Sequence, residues 1–233
     1  MPTMDQRPLA GFEDDRRRMV EDQLARRDIH DPRILDAMRT IPRELFVPVA
    51  LQHEAYADQA LPIDQGQTIS QPLVVAEMLQ DAAVAPGDRL LDVGTGSGYA
   101  AAVASRLVAR VFSIERLPAL AETARLRLAA LGIDNVEVCT GDGSLGWPEQ
   151  GPFDVILVAA AAPAVPMALR GQLADGGRLV IPVGDLGIRG QRLVVVRRRG
   201  DQFDQRAGAA VSFVPLVGAQ GWPTGRGGVH HDR

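Results

Sequence analysis

Residues 90–99 read LLDVGTGSGY, an apolar run that passes through three alternate glycines into a helix-like segment. A buried strand followed by a glycine-rich turn and a helix is typical of α/β domains that bind nucleotides or nucleosides. Glycine lets the main chain come close to a ligand, and the free N–H groups at the start of a helix can receive an anion. The segment therefore predicts a cofactor site at this turn.

Short apolar runs alternate with helix-like segments along the chain on both sides of this turn. The runs read RLLDV (89–93), RVFSIE (110–115), NVEVC (135–139), FDVILVA (153–159), GRLVIPV (177–183) and RLVVV (192–196). Between the second and third runs, apolar residues recur every three or four positions from Leu117 to Leu131, which predicts a helix ended by Gly132. This alternation predicts an α/β fold with a doubly wound, mostly parallel sheet, whose ligands bind at the carboxyl ends of the strands.

The first 85 residues predict an N-terminal helical extension. Segments 13–27, 31–39 and 73–83 have helical patterns, and Asp31 with Pro32 opens the second of them. The long irregular stretch between the second and third of these helices is of a kind that is usually functional or wrongly assigned. We expect a single domain, 1–233, in three parts: a helical and active-site loop region (13–85), a cofactor-binding core (86–216) and a flexible tail (217–233). A strand is expected around 209–215.

The composition of the 233-residue chain limits the classes of function. Its formal net charge of −4 argues against a concentrated basic face for nucleic acid. Its apolar runs fall well short of the ~20 residues that cross a bilayer, and its first residues lack the apolar stretch of a secretory signal. We expect a cytoplasmic protein, a monomer rather than an oligomer, with no nucleic-acid or membrane partner.

The glycine-rich turn is compatible with two classes of cofactor. Gly96, Gly98 and Ala101 satisfy the G-x-G-x-x-A pattern of dinucleotide-binding domains. The register of the turn favours the other class: Gly94 follows the strand, and an acid, Asp92, stands just before it. This arrangement resembles the first motif of class I methyltransferases, which use S-adenosylmethionine. A nucleotide cofactor and a purely structural turn remain as alternatives.

Acidic residues follow two later strands at the same end of the sheet. Glu115 ends the second strand, where a carboxylate can accept hydrogen bonds from both hydroxyls of a ribose. Asp142, which precedes Gly143 after the third strand, can accept a hydrogen bond from an adenine amino group. The alternatives are an exposed glutamate at a strand end and an ordinary Asp-Gly turn.

Seven ordered segments resemble the protein-L-isoaspartate O-methyltransferase family. They read AMRTIPRELFVP (37–48), AYADQALPI (55–63), GQTISQP (66–72), VGTGSGY (93–99), GDGSLGWP (141–148), FDVILVAAAAPAVPMALRGQL (153–173) with GGRLVIPVG (176–184), and SFVPL (212–216). The likeness covers residues 19–216. A glycine motif alone is weak evidence, whereas GQTISQP is a hallmark of the family.

The resemblance implies a cofactor, an acceptor and a set of site residues. The cofactor is S-adenosylmethionine, with S-adenosylhomocysteine as product, and the acceptor is the free α-carboxylate of an L-isoaspartyl residue in a damaged protein. In that family, the segment matching residues 68–70 closes over the active site, and the serine matching Ser70 is assigned to catalysis. The expected cofactor-binding residues are Thr68, Ile69, Gln71, Gly94, Thr95, Gly96, Ser97, Gly98, Glu115, Asp142 and Gly143. No metal is implied.

Methyl transfer to a carboxylate needs little acid–base machinery. An unperturbed carboxyl group has a pKa of about 3.5–4, so the acceptor is already ionised at neutral pH and requires no general base. The protein has to align the reacting atoms and exclude water. The Gly-x-Ser-x-Gly elbow of α/β-hydrolases does not surround Ser70, which argues against a serine hydrolase.

Four positions depart from the family pattern. Asp64 stands where glycine is usual, Leu73 where an aromatic residue often follows, Ala159 where threonine is more frequent, and Asp92 replaces the commoner glutamate. Neutral variation is the simplest interpretation. One alternative is a methyltransferase of the same fold that uses another carboxylate, such as aspartate in a dedicated peptide. A non-catalytic, cofactor-binding scaffold is the alternative from a different class.

Overall fold

The computed structural model of the chain describes residues 11–185 and 190–224. The helices of this part are α1 (Glu13–Arg18), α2 (Pro32–Thr40), α3 (Pro72–Asp81), α4 (Tyr99–Ser105), α5 (Pro118–Ala130) and α6 (Met167–Gly171). The strands are β1 (Leu61–Pro62), β2 (Thr68–Ile69), β3 (Arg89–Val93), β4 (Arg110–Glu115), β5 (Val136–Thr140), β6 (Phe153–Val158), β7 (Leu173–Gly184), β8 (Gln191–Arg199) and β9 (Gln202–Val211).

The central sheet has seven strands in the order β5-β4-β3-β6-β7-β8-β9. Neighbours from β5 to β7 run parallel, and β8 and β9 are antiparallel additions at one edge. The chain adds β4 and β5 on one side of β3 and then returns to add β6 on the other side. This reversal confirms the predicted doubly wound, mostly parallel sheet, and it places the expected ligand crevice beyond the carboxyl ends of β3 and β6.

Alternate residues of the central strands pack in two separate hydrophobic cores, one on each face of the sheet. Leu90 packs in the core that the N-terminal helices, α3, α4 and α5 share, whereas Leu91 packs in the second core, with Leu169 of α6. Successive strand side chains point to opposite faces, so a strand in the middle of such a sheet is apolar on both. This two-sided burial is why the central strands are visible in the sequence as continuous apolar runs.

The N-terminal extension is helical as predicted, and its geometry changes along the chain. Residues 13–27 run from α1 through a wider π-helical segment (Met19–Leu24) into a final 3₁₀ turn (Ala25–Arg27). At the start of α2, Oδ1 of Asp31 accepts a hydrogen bond of 2.9 Å from the main-chain N–H of Arg33. The Arg33 side chain also binds this carboxylate and lowers the pKa of Asp31. Asp31 is therefore the N-cap that the sequence predicts.

One sequence prediction near the C-terminus needs correction. The strand expected around 209–215 lies earlier, because β9 spans Gln202–Val211 and pairs with β8 through a turn after Arg199. Its first residues are polar and exposed, so the apolar alternation that marks a half-buried strand is missing there. In the segment predicted as a flexible tail (217–233), the indole N–H of Trp222 donates to the carbonyl oxygen of Ala161, in the loop after β6, and its main-chain N–H donates to that of Leu216. The rest of that prediction, 225–233, lies outside the described residues.

Among the helices described here, none has both the length and the apolar character required to cross a membrane.

Candidate active site

A cavity of about 340 Å³ opens at the carboxyl ends of β3, β4 and β6, where the strand order predicts a ligand. Residues from three separate parts of the sequence form its walls: the loop before β2, the ends of the central strands, and the segment after β9. The predicted site residues that line it are Thr68, Gly94, Gly96, Glu115 and Gly143. We call it the nucleoside cavity.

The glycine-rich loop between β3 and α4 forms one wall of the nucleoside cavity. Gly94, Gly96 and Gly98 all have positive φ, at 93°, 52° and 93°, a region that side chains other than glycine rarely adopt. The N–H of Gly94 donates to the carbonyl oxygen of Ile114 at 2.9 Å, and the N–H of Gly98 donates to that of Thr95 at 2.8 Å. The loop therefore turns tightly against β4 and leaves its inner main chain facing the cavity.

The carboxylate of Glu115 connects two walls of the cavity. Its Oε2 accepts a hydrogen bond of 2.9 Å from the N–H of Gly96, and its Oε1 accepts one of 3.0 Å from the N–H of Leu117. Each carboxylate oxygen can accept a second hydrogen bond. Glu115 can thus hold the loop and still accept both hydroxyls of a ribose.

Behind the loop, a buried chain of hydroxyl groups ends at Asp92. The Ser113 hydroxyl donates to Oδ2 of Asp92 at 2.6 Å, and Oγ1 of Thr95 lies 2.6 Å from Oγ of Ser113. Burial raises the pKa of Asp92 to about 6; the Ser113 hydrogen bond opposes this rise and the Glu115 charge adds to it. Asp92 and Thr95 are buried and do not line the cavity, so their side chains support the loop from behind.

Asp142 and Gly143 form the turn after β5. A Cβ added to Gly143 would lie 2.5 Å from Cγ1 of Val93, so only glycine fits beside the end of β3. Oδ1 of Asp142 accepts hydrogen bonds from the main-chain N–H and hydroxyl of Ser144, and Oδ2 accepts one of 2.7 Å from the N–H of Ala219. Three of the roughly four acceptor positions of this carboxylate are therefore used inside the protein, which leaves one for an adenine amino group.

The segment after β9 closes the cavity, and the candidate site residues taken from the sequence did not include it. Residues 214–217 line the cavity, and Leu216 donates its N–H to the carbonyl oxygen of Ala161 at 2.7 Å. The indole N–H of Trp222 donates to the same oxygen at 3.0 Å. The resemblance of SFVPL (212–216) to a family segment was the available signal. The sequence could not show that a segment so far from the glycine-rich loop folds back onto it.

The lining fits a nucleoside with an amino-acid substituent. Glycine main chain at positions 94, 96 and 143 leaves room for close contact, Glu115 accepts hydroxyl donors, and Ile114 and Leu216 supply apolar surface. The volume falls within the ~300–1,000 Å³ that small-molecule sites usually enclose. A cofactor of the S-adenosylmethionine type is therefore compatible with the residues present.

A second, larger cavity of about 1,010 Å³ adjoins the first. It lies between α3 on one side and residues 209–213 on the other, and Thr68 lines both cavities. Ser70 and Gln71, which were predicted site residues, line this second cavity and not the nucleoside cavity. We call it the acceptor groove.

Ser70 is held at the boundary between the strand β2 and the helix α3. Ile69 is 4% exposed and pairs with Leu61 of β1, which anchors the segment in the core. Gln71 donates to Oδ1 of Asp58 at 2.6 Å. The Ser70 side chain is half-buried, and its hydroxyl has no hydrogen-bond partner within the described residues. It is therefore free to bind a group in the groove.

Several predicted residues do not line either cavity. Ile69, Thr95 and Ser97 are buried, Gly98 packs against Ala124, and Asp142 directly precedes the lining residue Gly143. Their contacts shape the loops that carry the lining residues. The two histidines that the structure describes, His30 and His53, also lie outside both cavities, so neither is placed as a base for Ser70.

The positions that depart from the family pattern are distributed over the whole site. Ala159 lines the nucleoside cavity, with its Cβ 3.7 Å from where a Cβ on Gly94 would stand. Leu73 is buried in α3 and lines the acceptor groove. Asp64 is exposed in the turn before β2. Asp92, the fourth such position, is buried behind the glycine-rich loop. Of the four, only Ala159 and Leu73 line a cavity, where they offer a small and an aliphatic surface.

Comparison with known proteins assigns the chain to a family. The family model described as protein-L-isoaspartate(D-aspartate) O-methyltransferase matches residues 14–221. A protein-L-isoaspartate O-methyltransferase 2 of Pelobacter propionicus is 55% identical over 205 residues, which cover 88% of this chain and 91% of that one. A protein-L-isoaspartate O-methyltransferase of Methylorubrum extorquens is 56% identical over 211 residues, covering 90% and 91%.

Solved structures agree with the sequence comparison. A protein-L-isoaspartate O-methyltransferase structure superposes with a TM-score of 0.78 at 30% identity, covering 88% of this chain and 67% of that one. A putative protein-L-isoaspartate O-methyltransferase from Plasmodium falciparum, solved with S-adenosyl-L-homocysteine, gives a TM-score of 0.74 at 26% identity, covering 87% and 98%. The chain therefore belongs to the protein-L-isoaspartate(D-aspartate) O-methyltransferase family.

Proposed function

We propose that this chain transfers a methyl group from S-adenosylmethionine to the free α-carboxylate of L-isoaspartyl residues in damaged proteins. One observation carries the proposal: the nucleoside cavity and the acceptor groove meet at Thr68, so ligands in the two would lie side by side. Membership of the family supports the choice of acceptor. Methylation converts a poor leaving group into a good one, and the ester then closes to a succinimide that hydrolyses in part to normal aspartate.

The cofactor would be held by residues of the nucleoside cavity. Glu115 would accept the ribose hydroxyls, the main chain of Gly94 and Gly96 would contact the amino-acid portion, and Asp142 with Gly143 would receive the adenine. S-adenosylmethionine supplies a methyl group that its own sulfonium charge activates. The complex of the Plasmodium falciparum relative with S-adenosyl-L-homocysteine supports this assignment.

Ser70 would orient the acceptor carboxylate by donating a hydrogen bond to it. The α-carboxylate is ionised at neutral pH, so the hydroxyl does not need to abstract a proton. The Ser70 hydroxyl is uncommitted within the described residues and faces the groove, which suits a donor to a bound anion. A single neutral donor fixes the direction of attack and leaves the carboxylate nucleophilic.

The finer assignments concern the partners and the compartment. We propose a monomer that binds isoaspartyl proteins or peptides and has no nucleic-acid or membrane partner. The proposed compartment is the cytoplasm. The net charge of −4 supports the exclusion of nucleic acid.

Labelled S-adenosylmethionine and a pair of peptides that differ only in isoaspartate or aspartate test the proposal. We expect base-labile label on the isoaspartyl peptide alone. Label on the aspartyl peptide would support a relative with a changed acceptor, and label on neither peptide would support a non-catalytic scaffold.

A further inference from the structure

The acceptor groove has one wall that offers main chain. Ala209, Ala210 and Val211 line it as three consecutive residues of β9. Successive side chains of a strand point to opposite faces, so three consecutive residues of this edge strand bring main chain as well as side chains to the groove. β9 is the last strand of the sheet, and this edge is unpaired within the described residues. An extended peptide can therefore bind here through main-chain hydrogen bonds that do not depend on its sequence.

The opposite wall, formed by α3, offers a carboxylate. Glu77 lines the groove together with Ser70 and Leu73. Glu77 lies one to two helical turns beyond the start of α3. Within the described residues its carboxylate takes part in no ion pair or hydrogen bond. Burial, with the charge of Asp81, raises its pKa, and Arg27 opposes the rise. The Glu77 carboxylate is thus partly desolvated and lacks a direct partner.

The neighbouring charges are already paired. Arg27 forms an ion pair with Asp58, which also lines the groove, and Arg206 pairs with Asp81 at 2.7 Å. The charged residues that line the groove, Arg27, Asp58 and Glu77, therefore carry a net charge of −1. The unbalanced charge belongs to Glu77.

We propose that Glu77 is a specificity-determining residue that selects a cationic side chain near the isoaspartyl residue of the acceptor peptide. The inference rests on the proposed function of the groove. The chemistry is charge complementarity: a lysine or arginine of the peptide replaces the partner that Glu77 lacks, while an acidic residue meets like-charge repulsion.

Helix geometry fixes where the cationic residue must stand. Glu77 is five residues into α3 from Pro72, which is about 7.5 Å along the helix axis at 1.5 Å per residue. Ser70 precedes Pro72 by two more residues. An extended peptide advances about 3.3 Å per residue, so the selected side chain lies two to four residues from the isoaspartate.

Peptides with isoaspartate at a fixed position test this inference. Lysine, glutamine or glutamate is placed two, three or four residues away on either side, and kcat/KM is measured with labelled S-adenosylmethionine. At one of these positions we expect the kcat/KM of the wild-type protein to be about five- to tenfold higher for the lysine peptide than for the glutamate peptide. This ratio is in the range expected when one partly buried ion pair replaces a contact between like charges. Glu77→Gln should reduce this preference below about twofold, and Glu77→Lys should reverse it.

Glu122→Gln is the matched control, because it removes one negative charge from the exposed surface of α5, outside both cavities. It should keep the wild-type preference. Binding of S-adenosylhomocysteine by each variant, measured by calorimetry, should match the wild type, because Glu77 does not line the nucleoside cavity.

If the wild-type protein gives the same kcat/KM with the lysine, glutamine and glutamate peptides, the inference is overturned and the proposed function stays intact. An unchanged preference in Glu77→Gln has the same consequence. A complete lack of label on every isoaspartyl peptide would overturn the proposed function, and the inference with it.

Discussion

The main-chain N–H of Gly96 donates a hydrogen bond of 2.9 Å to Oε2 of Glu115. This bond ties the glycine-rich loop after β3 to the end of β4, so the proposed ribose acceptor and the proposed cofactor loop form one unit. A carboxylate that accepts from main-chain N–H groups is already oriented before the ligand arrives. The cavity therefore needs little rearrangement to bind a nucleoside.

We expect Glu115→Gln to weaken S-adenosylhomocysteine binding by about 10- to 100-fold. The amide retains one oxygen, so its NH₂ group must face either a main-chain N–H or a ribose hydroxyl that previously met a carboxylate oxygen. Hydrogen bonds to charged groups contribute about 1.5–3 kcal/mol, which gives this range. Isothermal titration calorimetry measures the change, and Glu122→Gln on α5 is the control. An unchanged dissociation constant in Glu115→Gln would remove Glu115 from the cofactor site.

We expect Ser70→Ala to lower kcat by about 10- to 100-fold and to leave the affinity for S-adenosylhomocysteine within about twofold of the wild type. The hydroxyl lines the acceptor groove and not the nucleoside cavity, so its loss misorients the acceptor alone. Ser212→Ala is the matched control, because Ser212 lines the opposite wall of the same groove. Wild-type turnover in Ser70→Ala would show that this hydroxyl has no part in the reaction.

The sequence predicted the parts of the fold that depend on burial. Strands β3, β4 and β6 are apolar on both faces, and their limits match the predicted runs within one residue. Asp31 and Gly132 were predictable as helix ends because their roles depend on local geometry, and Gly132 has the expected positive φ of 66°.

The sequence did not predict features that depend on contacts between distant segments. β9 is an exposed edge strand, held by main-chain pairing with β8, so its sequence carries little apolar pattern. The closing segment is held by a hydrogen bond from the N–H of Leu216 to the carbonyl oxygen of Ala161. The Asp142 carboxylate accepts a hydrogen bond from the N–H of Ala219, which is 77 residues away. Glu77 resembles any polar helix residue until the fold places it beside Ser70 in the groove.

We expect Asp92→Asn to change how stability depends on pH. The folded-state pKa of Asp92 is raised from 3.8 to about 6, so between these values the folded protein binds more protons at this site than the unfolded chain. The contribution of Asp92 to the free energy of unfolding therefore falls as pH rises through this window, by an amount on the order of 2 kcal/mol. The neutral amide removes this dependence and can still accept the Ser113 hydrogen bond.

Urea unfolding of Asp92→Asn and the wild type, at steps from about pH 4 to about pH 7, measures this effect. The difference in unfolding free energy should shift in favour of the variant as pH rises. Asp134→Asn, at an exposed position before β5, is the control and should give a constant difference. A constant difference for Asp92→Asn as well would mean that Asp92 titrates with its ordinary pKa.

We expect Trp222→Ala to weaken S-adenosylhomocysteine binding by about tenfold, although Trp222 does not line the nucleoside cavity. Its main-chain N–H donates to the carbonyl oxygen of Leu216 at 2.7 Å, a bond that alanine would keep. Its indole N–H donates at 3.0 Å to the carbonyl oxygen of Ala161, which also accepts the N–H of Leu216, so the ring braces the segment that forms the outer wall. Trp222→Phe keeps an aromatic ring and loses only the indole donor, a change of about 1 kcal/mol, or about fivefold at most. Calorimetry gives both affinities, and urea midpoints separate local loosening from global unfolding. If Trp222→Ala binds as the wild type does, the wall at Leu216 holds its place without this brace.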